Sequence, residues 1–207
     1  MNGNGDEDPD NIDAIFGRGI QQLDDDGAAQ FHTIFPGHYA GRATHIHIML
    51  HKGATEQSNG TVMDLTAAHV GQMYFDQDLI TEVEKVEPYT ENPMPVTPNS
   101  DDFILAGEAN STDPIMEYVW LGDSVDDGLL AWLSIGVNTT YERNVTEAAT
   151  LYEEGGQLNE NPPFACFTGG GFETAITGGQ VPTALPNLSG GFAIPSGGCE
   201  PSGSSTP

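Results

Sequence analysis

The chain has 207 residues, a length that fits one domain with room for a tail. Its formal net charge is −26, from 31 acidic against 5 basic residues. This charge argues against nucleic acid and anionic membranes as partners, because both would repel it. A domain of this size buries about 70% of its unfolded surface, so it needs neither metal nor disulfide merely to form a core.

The first third of the chain predicts a loop and then a hairpin. Residues 1–11 are rich in Gly, Asn and acid and are expected to form a flexible N-terminal segment. Residues 14–21 and 30–35 are predicted strands. They are joined by a turn at residues 24–27 (Asp-Asp-Asp-Gly), where glycine supplies a positive φ. A calcium loop is disfavoured at residues 24–27, because the acids of a calcium loop occupy alternate positions and these three are consecutive.

A strand with two histidines follows the hairpin. From Thr44 onward polar and apolar residues alternate, which is the periodicity of a strand. His45 and His47 therefore lie on one face, about 6–7 Å apart at the backbone. Two neutral imidazoles that converge suit a transition metal. An ordinary pair of surface or core histidines is the alternative for this short pattern.

The residues before this strand predict two turns and an anionic ligand. Pro36-Gly37 sets one turn and Gly41 allows a second, which would fold Tyr39 back toward the histidines. A tyrosine suits ferric iron as a phenolate, since the metal can hold it deprotonated far below its free pKa of about 10. Arg42 stays charged and could balance the phenolate or bind an anionic substrate.

The middle of the chain predicts strands, one helix and a long loop. Residues 61–65 and 71–75 are predicted strands, and residues 78–86 have helical apolar spacing that ends before Pro88. Residues 91–102 are rich in Pro and Asn and are expected to form a loop that passes over the site.

The last third predicts two strands, a helix and a tail. Strands are expected at residues 115–121 and 129–137, with Trp120 and Trp132 packed in the core. A short helix is predicted at residues 144–154. We therefore expect one all-β domain over residues 12–165, an antiparallel β-sandwich with short helices and long loops, and a Gly/Pro/Ser-rich extension over residues 166–207.

Three segments together carry a resemblance to a known family. They are residues 31–39 (Phe-His-Thr-Ile-Phe-Pro-Gly-His-Tyr), residues 42–47 (Arg-Ala-Thr-His-Ile-His) and residues 71–80 (Gly-Gln-Met-Tyr-Phe-Asp-Gln-Asp-Leu-Ile). This combination resembles the iron site of the intradiol ring-cleavage dioxygenases, which include the catechol and protocatechuate dioxygenases. The resemblance extends over roughly residues 12 to 90.

The resemblance implies a β-sandwich with a non-haem Fe(3+) centre. Tyr39, His45 and His47 match metal ligands, and Tyr39 matches the one that leaves the metal and accepts a substrate proton. Arg42 and Gln72 match the pair beside the substrate ring. The implied partners are a small aromatic diol and O2, and the implied reaction cleaves the ring between its two hydroxylated carbons to give a muconate-type diacid.

Two features depart from or refine this pattern. Only Ala40 and Gly41 separate Tyr39 from Arg42, a short spacing that resembles the secreted fungal branch of the family. The family also uses a further tyrosine ligand upstream, and no tyrosine precedes Tyr39 in the sequence. We therefore expect that this chain lacks its natural N-terminus. Tyr89 is at best a poor substitute, since a tyrosine near this position packs structurally in the family.

Other residues predict an extracellular protein. Five Asn-x-Ser/Thr sequons favour a secreted glycoprotein, and they begin at Asn59, Asn110, Asn138, Asn144 and Asn187. Residues 1–6 do not form a signal peptide, because they have no basic start and no apolar run. Cys166 and Cys199 could pair across a Gly-rich segment, and two free thiols are the alternative.

Two competing functions remain open from the sequence. A cupin-type ferrous oxygenase also uses a His-x-His strand, but it needs a carboxylate soon afterwards, and residues 48–53 contain none. The second is a catalytically inactive secreted β-sandwich that binds metal or aromatic ligands. The absence of a tyrosine before Tyr39 favours this second alternative.

Overall fold

A computed structural model describes residues 12–58, 61–146 and 149–159. This part of the chain is all-β, as predicted, with two short α-helices. Its strands form five antiparallel pairs, β1 with β5, β2 with β3, β4 with β8, β6 with β7 and β9 with β10. Their bounds are β1 His45–Leu50, β2 Thr55–Glu56, β3 Val62–Met63, β4 Thr66–Ala67, β5 His69–Tyr74, β6 Glu117–Trp120, β7 Leu129–Trp132, β8 Arg143–Asn144, β9 Ala149–Tyr152 and β10 Gly155–Leu158. The packing of two sheets into a sandwich stays a prediction.

The pair of β1 and β5 organises the molecule. Its register places His45 opposite Tyr74 and Ile46 opposite Met73. Because side chains alternate along a strand, Ile46 and Met73 face the core while His45 and Tyr74 share the other face. The backbone of Tyr74 also bonds the segment before β6, since its carbonyl accepts the Met116 N–H at 2.8 Å.

Helix α1 (Gln77–Val83) covers the core face of this strand pair. Asp76 begins the helix by accepting the Leu79 N–H at 2.7 Å. The helix was predicted, but it ends at Val83, before the expected Val86. Its buried residues form the main core cluster with one residue that follows β5 and one that precedes β6. The members are Phe75, Leu79, Ile80, Val83 and Met116.

Helix α2 (Phe103–Glu108) packs against Tyr74, on the face of β5 that points away from α1. Asp102 caps it, and Leu105 is its buried residue, in contact with Ala43 and Tyr74. One buried position leaves no amphipathic repeat to recognise in the sequence, and the helix was not predicted.

Among the residues that the structure describes, no helix has the length and apolar character of a membrane span.

The two strands expected at residues 14–21 and 30–35 do not form. Both segments lack strand structure, and Ile15 and Ile34 are each 71% exposed. A strand needs a neighbour to satisfy its backbone, and the structure provides none here. The turn between the segments is as expected, with Gly27 at a φ of 77°.

The helix expected at residues 144–154 is also wrong, because β9 and β10 form a hairpin there. Gly155 has a φ of 122°, a backbone that breaks a helix and suits a tight turn. The core positions expected for Trp120 and Trp132 are wrong as well, since they are 38% and 43% exposed. Trp132 lies on the outer face of the β6–β7 hairpin, and Trp120 lies at its end.

Candidate metal centre

The face of β1 and β5 that points away from α1 carries the histidines and their neighbours. His45 and His47 lie opposite Tyr74 and Gln72 in the register, so all four side chains share this face. The Nε2 atoms of His45 and His47 are 3.1 Å apart. Two nitrogen ligands about 2.1 Å from one ion and at right angles to each other would be about 3 Å apart. The spacing therefore fits two neighbouring ligands of one metal.

The tautomer of His45 is fixed by the backbone. Its Nδ1 lies 2.6 Å from the carbonyl oxygen of Ala43, which can only accept a hydrogen bond. The proton of the neutral ring is therefore on Nδ1, and the lone pair of Nε2 points at His47. Metal-binding histidines in proteins are commonly oriented by such a bond to a carbonyl.

The protonation of both histidines favours metal binding. Desolvation lowers the pKa of His45 and His47 below the ordinary value, and the nearby charge of Arg42 acts in the same direction. The bond to the Ala43 carbonyl partly offsets this lowering of the pKa of His45. The effect of burial is clearest for His45, which is 9% exposed, because His47 is an exposed residue. Neutral imidazole is the form that binds a metal.

Tyr39 is brought to the same place by a tight turn. Gly41, at a φ of 86°, lets Tyr39 and Arg42 pair as an isolated antiparallel bridge. The ring centroids of Tyr39 and His45 are then 5.9 Å apart. Burial raises the pKa of Tyr39, and the nearby charge of Arg42 opposes this. Without a metal the phenol therefore stays neutral at neutral pH.

Arg42 joins the residues around the histidines into one network. Its Nη2 donates to the Gln72 Oε1 at 2.5 Å and to the Tyr74 hydroxyl at 2.9 Å, and its Nε donates to Asp102 at 3.0 Å. Tyr74 is fully buried, and burial is the main reason why its pKa is raised to about 12. Asp102 was not identified from the sequence, because it lies sixty residues from Arg42.

The turn that carries Tyr39 is held in place by the buried side chain of His38. His38 is 4% exposed, and its ring nitrogens lie 2.7 Å from Glu84 Oε1 and 2.8 Å from the Met94 carbonyl oxygen. Asn92 donates to the His38 carbonyl at 2.8 Å. His38 directly precedes Tyr39 in the sequence. Its contacts tie the Tyr39 turn to α1 and to the loop that follows.

Other candidate ligands lie elsewhere or are already engaged. The Tyr89 hydroxyl donates to the Phe35 carbonyl at 2.8 Å, which is the structural packing expected of it. His51 faces the Thr66 carbonyl at 2.7 Å. Cys166 and Cys199 lie outside the described residues.

Within residues 12–58, 61–146 and 149–159, no group of three or more His, Cys, Asp and Glu side chains could hold a metal ion. A metal beside His45 and His47 therefore needs a third donor of another type. The phenol of Tyr39 fits this need, and imidazole with phenolate suits ferric iron better than zinc.

Comparison with solved structures finds a partial similarity. No family model matches the chain, and no curated protein matches it. A solved structure, an intradiol ring-cleavage dioxygenase from Tetranychus urticae, is similar at 28% sequence identity and a TM-score of 0.41. The match covers 53% of this chain and 47% of that one, so the chain spans about half the length of that structure.

Proposed function

We propose that the protein is a non-haem ferric-iron dioxygenase. It would cleave a catechol-type ring between its two hydroxylated carbons with O2 and give a muconate-type diacid. The observation that carries the proposal is the 3.1 Å separation of the His45 and His47 Nε2 atoms beside the ring of Tyr39. The family pattern in residues 31–47 and 71–80 supports the same conclusion.

Tyr39, His45 and His47 would hold the Fe(3+). When bound, the iron would act as a Lewis acid that lowers the pKa of coordinated phenols. The raised pKa of Tyr39 would make its phenolate a strong proton acceptor. Tyr39 is thus suited to take a hydroxyl proton from an incoming diol.

Arg42 and Gln72 would bind and orient the diol. The side chain of Arg42 is 14% exposed, so its charge is poorly screened and can stabilise an anionic ring. The Oε1 of Gln72 accepts from both Arg42 and Tyr74. This arrangement assigns the orientation of the amide and makes its NH2 the end that can donate to a ligand.

The test is a visible spectrum of iron-loaded protein, before and after catechol is added without oxygen. The proposal expects a tyrosinate-to-iron band that shifts with catechol, and a muconate-type product when air is admitted. Tyr39→Phe should lose the band, and Tyr141→Phe, at an exposed tyrosine, should keep it. A colourless protein, or a Tyr39→Phe variant with an unchanged band, would contradict the assignment.

A second candidate is a protein that binds iron or an aromatic diol without turnover. It is favoured by the engagement of Tyr74, whose hydroxyl already bonds Gln72 and Arg42 and so is not free to join Tyr39 as a second phenolate. The same experiment separates the two candidates. A band that shifts with catechol but yields no ring-cleaved product in air identifies the binding protein.

We also propose that the protein is extracellular and N-glycosylated. Of the sequon asparagines, Asn110, Asn138 and Asn144 are exposed, as an acceptor must be. Asn59 and Asn187 lie outside the described residues. Secretion from a eukaryotic host, followed by mass spectrometry of the sequon peptides before and after enzymatic deglycosylation, tests this. Unmodified peptides at all five sites would contradict it.

A further inference from the structure

Asp102 is a fully buried carboxylate whose two oxygens have different partners. Its Oδ1 accepts the N–H groups of Ile104 and Leu105, at 2.9 and 3.1 Å, at the start of α2. Its Oδ2 accepts Arg42 Nε at 3.0 Å and the Ala43 N–H at 2.8 Å. One oxygen thus serves the helix, and the other serves the segment that leads into β1.

The contacts of Oδ2 exceed what a helix cap requires. At the start of α1, Asp76 caps the helix with its Oδ1, which accepts the Leu79 N–H. Burial by itself would raise the pKa of Asp102, but the N–H groups of Leu105 and Ala43 and the charge of Arg42 hold that pKa below its ordinary value. The buried carboxylate is therefore charged and fully hydrogen-bonded.

Both partners of Oδ2 lead to the candidate centre. The bond to Nε sets the plane of the Arg42 guanidinium, whose Nη2 reaches Gln72 and Tyr74. The N–H of Ala43 donates to Asp102 Oδ2, and the carbonyl oxygen of the same residue accepts from His45 Nδ1 at 2.6 Å. A single carboxylate thus orients the arginine and the backbone that fixes the histidine tautomer.

We propose that Asp102 is a positioning residue of the diol site, which aligns the Arg42 guanidinium with the substrate and the Ala43 peptide with His45. This inference rests on the proposed function for its substrate. Its structural part, the orientation of Arg42, stands on the metal-free protein. Asp102 touches neither the metal nor the diol and acts through its two neighbours.

The variant that tests it is Asp102→Asn, which keeps the size of the side chain and an oxygen for the α2 cap. Asp76→Asn is the matched control, because it changes a helix cap that does not contact Arg42. The first readout is the nitrogen-15 spectrum of the arginine Nε–H groups in metal-free protein. The chain has three arginines, and Arg42→Lys assigns the signal. The Arg42 signal should exchange slowly in wild type and in Asp76→Asn, and rapidly in Asp102→Asn.

The second readout is the dissociation constant of catechol for iron-loaded protein without oxygen. Asp102→Asn should weaken catechol binding about tenfold, and Asp76→Asn less than about twofold, since a bond between charged groups is lost only in the first. In the Arg42→Lys background Asp102→Asn should have little further effect. A cap that only stabilised the fold would give equal effects in both backgrounds.

Each outcome decides the inference. Equal losses in Asp102→Asn and Asp76→Asn, or an Arg42 Nε–H that exchanges as fast as those of Arg18 and Arg143 in wild type, would overturn it. The wild-type comparison also serves if Asp102→Asn does not fold. If wild type binds no catechol while its Arg42 signal responds to Asp102→Asn as expected, the proposed function fails and the positioning of Arg42 by Asp102 stands.

Discussion

The Nε2 atoms of His45 and His47 lie 3.1 Å apart on the face of β1 that points away from α1, and the bond of His45 Nδ1 to the Ala43 carbonyl leaves the lone pair of His45 on Nε2. Two nitrogen lone pairs this close repel one another unless a cation or a proton lies between them. One cation, or the Nε2–H of a neutral His47, can therefore lie between the two nitrogens.

Replacing one of these nitrogens should abolish tight iron binding. His47→Gln is expected to weaken Fe(3+) affinity by more than the ~10–100-fold loss that follows removal of an outer partner of a ligand. His32→Gln, at an exposed histidine, is the control and should leave affinity unchanged. Competition with a chelator, followed by iron analysis, measures both. Equal affinities in the two variants would remove His47 from the site.

Tyr39→Phe should remove the colour of the iron-loaded protein without destabilising the fold. The ring that packs near His45 is kept, so the free energy of unfolding of the metal-free protein should change by less than about 1 kcal/mol. The iron-loaded variant should lose the phenolate absorption band. Urea unfolding and a visible spectrum measure the two quantities. A large loss of stability with the band retained would mean that Tyr39 is a packing residue.

The bonds of His38 predict a stability effect next to the site. His38→Ala would leave Glu84, whose side chain is 13% exposed, and the Met94 carbonyl without their partner. The free energy of unfolding should fall by about 2 kcal/mol or more, since buried polar groups would be left unsatisfied. Urea denaturation measures it, with His32→Ala as the exposed control. The iron-dependent band should weaken too, because the Tyr39 turn loses its anchor.

Acid should remove the contribution of Asp102. Its pKa is lower in the folded protein than in the unfolded chain, where an Asp has a pKa of about 3.9. Its stabilisation is therefore present above this value and is lost as the pH falls toward the lower folded pKa. The stability difference between wild type and Asp102→Asn should be largest near neutral pH and shrink below about pH 4. A difference that stays constant down to the acid transition would contradict the charged pairing with Arg42.

Much of the candidate site follows from short stretches of sequence. The alternation after Thr44 predicts that His45 and His47 share a face, and they do. Gly41 predicts a tight turn before β1, and its φ of 86° provides one. The alternation also predicts that Ile46 faces the opposite way, and Ile46 packs against the main buried cluster. These features depend on backbone geometry within a few residues, which is why local patterns reveal them.

The partners of these residues came only with the tertiary structure. Asp102 reaches Arg42 across sixty positions, and Glu84 reaches His38 across 46. No local pattern marks either acid in a chain with 31 of them. The same holds for α2, which has one buried residue and whose start depends on the Asp102 cap.

By itself the sequence determined the local geometry of the site: the strand that pairs two histidines, the glycine turn that returns Tyr39, and an all-β fold. The tertiary structure decided which apolar segments found a partner. Residues 14–21 and 30–35 form no strand, and Trp132 lies on an outer face. Strand pairing, burial and the pairing of a buried charge require contacts between distant parts of the chain, so they depend on packing rather than on the local pattern.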